Sequence, residues 1–168
     1  MMHEHDLPPL PPSYADRMPR VDEASEFAFV GLDHMERDAF LIPLAAAAWK
    51  RMKLAAATDG VELILVSAFR SIARQAALVA GKLSKGMTLE EALEYSAYPG
   101  FSEHHSGNAV DIGTTGACHL EEEFESTPAF AWLCEHAADF GFTMTYPRDN
   151  QFGIAYEPWH WCHHLHNE

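Results

Sequence analysis

Two short segments carry the residues best suited to chemistry. The first, Ser102-Glu103-His104-His105-Ser106-Gly107-Asn108-Ala109-Val110-Asp111, supplies imidazoles and a carboxylate, and the second, Glu157-Pro158-Trp159-His160-Trp161, adds an imidazole and another carboxylate. Catalytic zinc takes three protein ligands from His, Asp or Glu and leaves a fourth position to water. His104, Asp111 and His160 complete such a set for one zinc ion, and Glu157 is then left over as a general base.

The spacing suits that reading. Ser106-Gly107-Asn108 is turn chemistry, and the alternating run 109–112 reads as a strand entered through that turn. Such a fold-back brings His104 and Asp111 to one ion. Gly107 tolerates the sharp bend because it has no Cβ, and Val110 and Ile112 point to the face opposite Asp111. In the second segment Pro158 lacks an N–H and biases Glu157 towards an extended backbone, which rules out a helix interior. This segment therefore reads as a turn entering a strand, with Trp159 and Trp161 walling the site. The zincin arrangement differs, since there two histidines lie one helical turn apart.

Taken together, S-x-H-x-x-G-x-A-x-D followed by E-x-W-H resembles the pattern of the VanY-like D-alanyl-D-alanine carboxypeptidases, within the wider group of lysostaphin-type and Hedgehog-type zinc folds. Upstream, Ser67-Ala68-Phe69-Arg70-Ser71 with Gln75 resembles the family's S-G-Y-R-S segment, and Pro99-Gly100 before Ser102 also fits. The similarity runs from about residue 36 to 161. It implies zinc on His104, Asp111 and His160, Glu157 as general base, and substrate or oxyanion contacts from Arg70, Gln75 and Ser102. It also implies a substrate, the C-terminal D-alanine of peptidoglycan stem peptides. Ala68 and Phe69 stand where Gly and Tyr are usual, Thr145 where Arg is frequent, and Cys162-His163 where Arg-Tyr is common. These departures leave open an L,D-carboxypeptidase, dipeptidase or endopeptidase specificity. A non-catalytic zinc- or ligand-binding module is the alternative of another class, and the presence of Glu157 argues against it. No S-x-x-K occurs, so a serine acyl-enzyme is not expected.

The 168 residues suit one domain with a single core, 25–168, preceded by an irregular proline-rich segment, 1–24. A formal net charge of −14 with only 11 Lys and Arg makes nucleic acid an improbable partner. Cys118, Cys134 and Cys162 lack C-x-x-C spacing and read as free thiols. No apolar leader and no run of about 18 apolar residues is visible. As given, the chain reads as cytoplasmic, or as exported if a leader was removed. Oligomeric state is not readable from these features. His105, His119, His136, His163, His164 and His166 are assigned to the surface.

The expected fold is α+β, a small antiparallel sheet with flanking helices, Hedgehog- and D-Ala-D-Ala-peptidase-like. Apolar positions at three- and four-residue intervals predict a helix over 36–58, stopped by Asp59-Gly60. A central strand over 61–68 then delivers Arg70, followed by a helix marked by Ile72, Ala76, Val79 and Leu83. Thr88-Leu89-Glu90-Glu91 is a capping box opening a third helix. Thr127-Pro128 starts a fourth that ends at Gly141. Strands 142–146 and 152–156 are expected to pair as a hairpin through residues 147–150.

Overall fold

The computed structural model describes residues 7–165. A short helix α1 (Tyr14–Arg17) leads to a hairpin of β1 (Ala28–Leu32) and β2 (Asp38–Leu41), then to α2 (Pro43–Thr58) and β3 (Ile64–Ser67). Helices α3 (Ile72–Ser84) and α4 (Leu89–Tyr95) precede β4 (Ala109–Gly113); α5 (Pro128–His136), β5 (Phe142–Met144) and β6 (His160–His163) complete the chain. Strands β3 to β6 form one antiparallel sheet in the order β3-β4-β6-β5. This is the α+β arrangement expected from the sequence.

The main core lies between this sheet and α2 and α5, with Trp49, Met52, Leu65, Ile112, Leu133 and Phe142 shielded from solvent. Each such side chain contributes about 1.5–3 kcal/mol by leaving water. Local signals set the helices that frame the site. Ser71 caps α3 by accepting from Arg74 N, and Thr88 and Glu91 form the reciprocal capping box of α4. Thr127 caps α5, whose first residue is Pro128.

Two expected elements differ. The helix predicted from residue 36 starts at Pro43, because residues 38–41 alternate between solvent and core and pair with β1. Ala39 and Leu41 face inward, and this period of two prevails over the helical spacing further on. The predicted hairpin of 142–146 with 152–156 does not form. Instead β5 pairs with β6, Thr143 facing Cys162, and residues 145–159 loop between them. Asn150 ties that loop by donating to Pro147 O and Ile154 O and accepting from Phe152 N.

Of the proline-rich segment, residues 1–6 lie outside the described residues, as does His166. Residues 7–24 pack on the domain. Tyr14 and Met18 are buried in a second core with Leu93, Phe101, Tyr146 and Ile154. Val21 N donates to Gly100 O and Ala24 N to His105 O. The prolines stop short of α1, which contains none of them.

Candidate active site

Strand register builds the floor of the site. Asp111 of β4 is the cross-strand neighbour of Ser67 on β3 and of His160 on β6, so three polar side chains form one row on the face opposite Val110 and Ile112. His104 reaches the same row from a 3-10 turn over Glu103–Ser106, capped by Ser102 Oγ, which accepts from His104 N at 3.3 Å. Gly107 ends the turn at φ 71°, and a Cβ there would lie 2.9 Å from Ile42 Cγ2. Both the backbone conformation and the space require glycine.

The His104 imidazole is oriented by its other nitrogen. His104 Nδ1 donates to Ala68 O at 2.7 Å, which leaves Nε2 as the lone-pair nitrogen, 3.1 Å from Asp111 Oδ2. His160 presents Nδ1 to Asp111 Oδ1 at 3.0 Å. All three residues are buried, and their donor atoms lie within 4.8 Å of one another. Two imidazole nitrogens and one carboxylate, buried together and with the His104 ring held by the backbone carbonyl of Ala68, fit a zinc ion.

Electrostatics in the metal-free protein point the same way. Burial pulls the Asp111 carboxyl upward, but His104 and His160 outweigh it and hold it well below the usual range. Burial lowers His104. Burial acts downward on His160 too, yet the hydrogen bond to Asp111, the nearby Glu103 carboxylate and the charges of Asp111 and Glu157 push it up to about 10. A proton thus occupies the position that a cation suits.

Glu157 sits beside this centre, Oε2 3.8 Å from His160 Nδ1. Its backbone N–H donates to Tyr146 O, and its carbonyl accepts from His160 N. Burial lifts its carboxyl to about 7, with His160 opposing and Asp111 adding to the rise. A carboxylate of near-neutral pKa is suited to accept and return a proton.

Arg70 closes the other side, Nη2 3.8 Å from Asp111 Oδ2. Nη1 donates to Gln75 Oε1 at 3.0 Å and Nη2 to Ser67 Oγ at 2.8 Å. Gln75 is itself buried and donates to Ala97 O at 2.7 Å, so both ends of its amide are engaged. Ser102 is buried as the cap of the 3-10 turn. Arg70, Gln75, Ser102, Lys82, Glu157 and Trp159 all line one cavity of about 970 Å³ that contains the three candidate ligands. All seven residues singled out from the sequence therefore meet in one place.

Four residues escaped sequence reasoning. Ser67 and Gln75 hold the guanidinium of Arg70, and Ser67 becomes legible once β3 is paired with β4. His105 was assigned to the surface but is fully buried, donating from Nδ1 to Arg70 O at 2.7 Å and accepting from Gly100 N at 3.1 Å. Its place directly after the candidate ligand His104 gave no warning of that role. Tyr146 packs its ring 4.9 Å from that of His160, and Glu103 faces the far edge of the same imidazole. Trp161, expected to wall the site, lies in the main core, whereas Trp159 does line the cavity.

Comparison with known proteins places this architecture. The family model VanY, described as D-alanyl-D-alanine carboxypeptidase, matches residues 39–165. A D-alanyl-D-alanine carboxypeptidase of Enterococcus faecalis (strain ATCC 700802 / V583) is 36% identical over 117 residues, 64% of this chain and 42% of that protein. The chain thus spans less than half the length of that curated relative. The solved structure of the LdcB LD-carboxypeptidase is similar with a TM-score of 0.75 and 32% identity, covering 84% of this chain and 69% of that one. That of the vancomycin resistance D,D-pentapeptidase VanY in complex with Zn(II) is similar with a TM-score of 0.62 and 29% identity, covering 82% and 79%. With most of its length matched by the family model and its sheet carrying the same kind of fold, the chain belongs to the VanY family of D-alanyl-D-alanine carboxypeptidases.

Proposed function

We propose that this protein is a zinc-dependent carboxypeptidase that hydrolyses the C-terminal D-alanine bond of peptidoglycan stem peptides. The observation that carries the reading is the convergence of His104 Nε2, Asp111 and His160 Nδ1 in a cavity that also holds Glu157 and Arg70. Bound zinc supplies a water of near-neutral pKa, about 7, and polarises the scissile carbonyl.

The chain's own groups do the rest. His104, Asp111 and His160 hold the ion, and the backbone acceptor at Ala68 keeps the His104 ring from turning. Glu157 takes the proton of the attacking water and returns it to the leaving amine. Arg70, clamped by Ser67 and Gln75, donates to the carbonyl oxygen as negative charge grows there. Gln75 acts through Arg70, since its amide is engaged at both ends, and Ser102 sets the turn that carries His104. Lys82, on the same wall, adds positive charge for a substrate carboxylate.

The similarity to the LdcB LD-carboxypeptidase favours a second reading, cleavage of an L,D bond in the same kind of peptide. Incubating zinc-replete protein with stem peptides ending in D-Ala-D-Ala and with those ending in a single D-Ala, and weighing the products, separates the two. Loss of one alanine from the first substrate only is the expected result. Loss from the second only establishes the L,D reading, and no turnover of either by wild type, with no difference from Glu157→Gln, removes the proposal.

A further inference from the structure

The ring of His160 has two edges with different surroundings. Nδ1 turns towards Asp111 at 3.0 Å and Glu157 at 3.8 Å. Nε2 points away from them, is fully enclosed, and has no hydrogen-bond partner within normal length. An imidazole N–H shut away from water without an acceptor is unfavourable, because its lost hydration is not replaced. The charged group facing that edge is Glu103, whose Oε2 lies 3.7 Å from Nε2. Thr145 Oγ1 donates to the same Oε2 at 3.0 Å and fixes its direction. Tyr146 covers the ring face, so the imidazole is bounded on that side by an aromatic ring and at its far edge by a carboxylate.

We infer that Glu103 is a positioning residue for the metal centre: it accepts the Nε2–H of His160 and so keeps the Nδ1 lone pair aimed at the ion. The inference rests on the zinc reading of the site. Glu103 and Glu157 flank opposite edges of one ring, so only Glu157 shares the side on which the ligand atoms converge. The two carboxylates therefore divide two tasks, one bracing a ligand and the other moving a proton. Glu103 also opens the 3-10 turn that carries His104. A single turn thus delivers one histidine ligand and braces the other, which ties the two rings to one backbone segment. Outer partners of this kind typically alter metal affinity by about ten- to a hundredfold.

The test compares wild type, Glu103→Ala, Glu103→Gln and Thr145→Val by chelator competition for zinc, together with the His160 Nε2–H proton resonance of the zinc-loaded proteins. Glu103→Ala should weaken zinc binding about tenfold or more. Glu103→Gln keeps a carbonyl acceptor and should restore most of that loss while moving the Nε2–H resonance upfield, because a neutral acceptor replaces an anion. Thr145→Val, which frees the carboxylate to turn, should weaken zinc severalfold. A zinc dissociation constant for Glu103→Ala within twofold of wild type overturns the inference. If that variant does not fold, an unmoved resonance in Glu103→Gln overturns it instead. A wild type that takes up no zinc overturns the zinc reading as well, whereas equal affinity in wild type and Glu103→Ala leaves that reading intact and removes Glu103 alone.

Discussion

Zinc added to the metal-free protein should displace protons, and the side chains at the centre together with the zinc-bound water set their number. At pH 7 His160, lifted to about 10, carries its extra ring proton in nearly every molecule. Glu157, at about 7, is half protonated. Burial keeps His104 neutral, and Asp111 is ionised, so neither contributes. A metal ligand on Nδ1 requires the His160 proton to leave. The Glu157 proton follows, since a dication even ~10 Å away at an effective dielectric of ~20 favours the carboxylate by about 3 kcal/mol, roughly two pKa units. One proton from His160 and half of one each from Glu157 and from a zinc-bound water of pKa about 7 give release of about 2 protons at pH 7. The total stays at about two at pH 8.5, as the water's share rises and that of Glu157 falls. Apparent affinity should rise accordingly, by roughly a hundredfold per pH unit near neutrality. Titration calorimetry in buffers of different ionisation enthalpy reads the number as a slope. Glu157→Gln should give about 1.5 protons at pH 7, because only His160 and the zinc-bound water remain to release them. A slope near zero for wild type at pH 7 would refute the reasoning, because it would mean that no proton occupies the ligand position.

Three further outcomes follow from the same geometry. Arg70→Ala should lower kcat by two or more powers of ten, about 3 kcal/mol, while zinc stays bound; unchanged turnover would remove the oxyanion role. Gly107→Ala should destabilise the fold by about 1–3 kcal/mol in urea, because φ is 71° and the new Cβ meets Ile42; equal midpoints would contradict the close approach. The metal-free protein should lose stability as pH rises from about 5 to 10, since Glu157 and His160 both have folded pKa values raised above their unfolded ones, near 4.5 and 6.5. Their contribution is fully present below the unfolded values and is lost through about 7 and about 10 respectively. Urea midpoints that climb across that range would reverse the sign.

Some of this was legible from residues alone, for identifiable reasons. His104, Asp111, His160 and Glu157 stand in short segments whose turn residues and proline restrict the backbone, so residue type and spacing carried the information. Helix α3 announces itself through the spacing of Ile72, Ala76, Val79 and Leu83, α4 through Thr88 and α5 through Thr127-Pro128. The β1-β2 hairpin escaped because its inward signal in β2 is only Ala39 and Leu41, next to a strongly helical run. Pairing of β5 with β6 escaped because a loop held by the Asn150 side chain separates them, and side-chain ties of that kind have no periodicity. Ser67, His105 and Glu103 matter through partners that only the strand register and the 3-10 turn bring near, which is why their types suggested nothing in isolation.

Metal analysis of the zinc-saturated protein, followed by diffraction at the zinc absorption edge, bears on the whole account. One ion per chain is expected, bound by His104 Nε2, Asp111 and His160 Nδ1, with Glu157 outside the ligand set. Zinc absent at saturation, or held elsewhere such as at the neighbouring rings of His34 and His119, would contradict it.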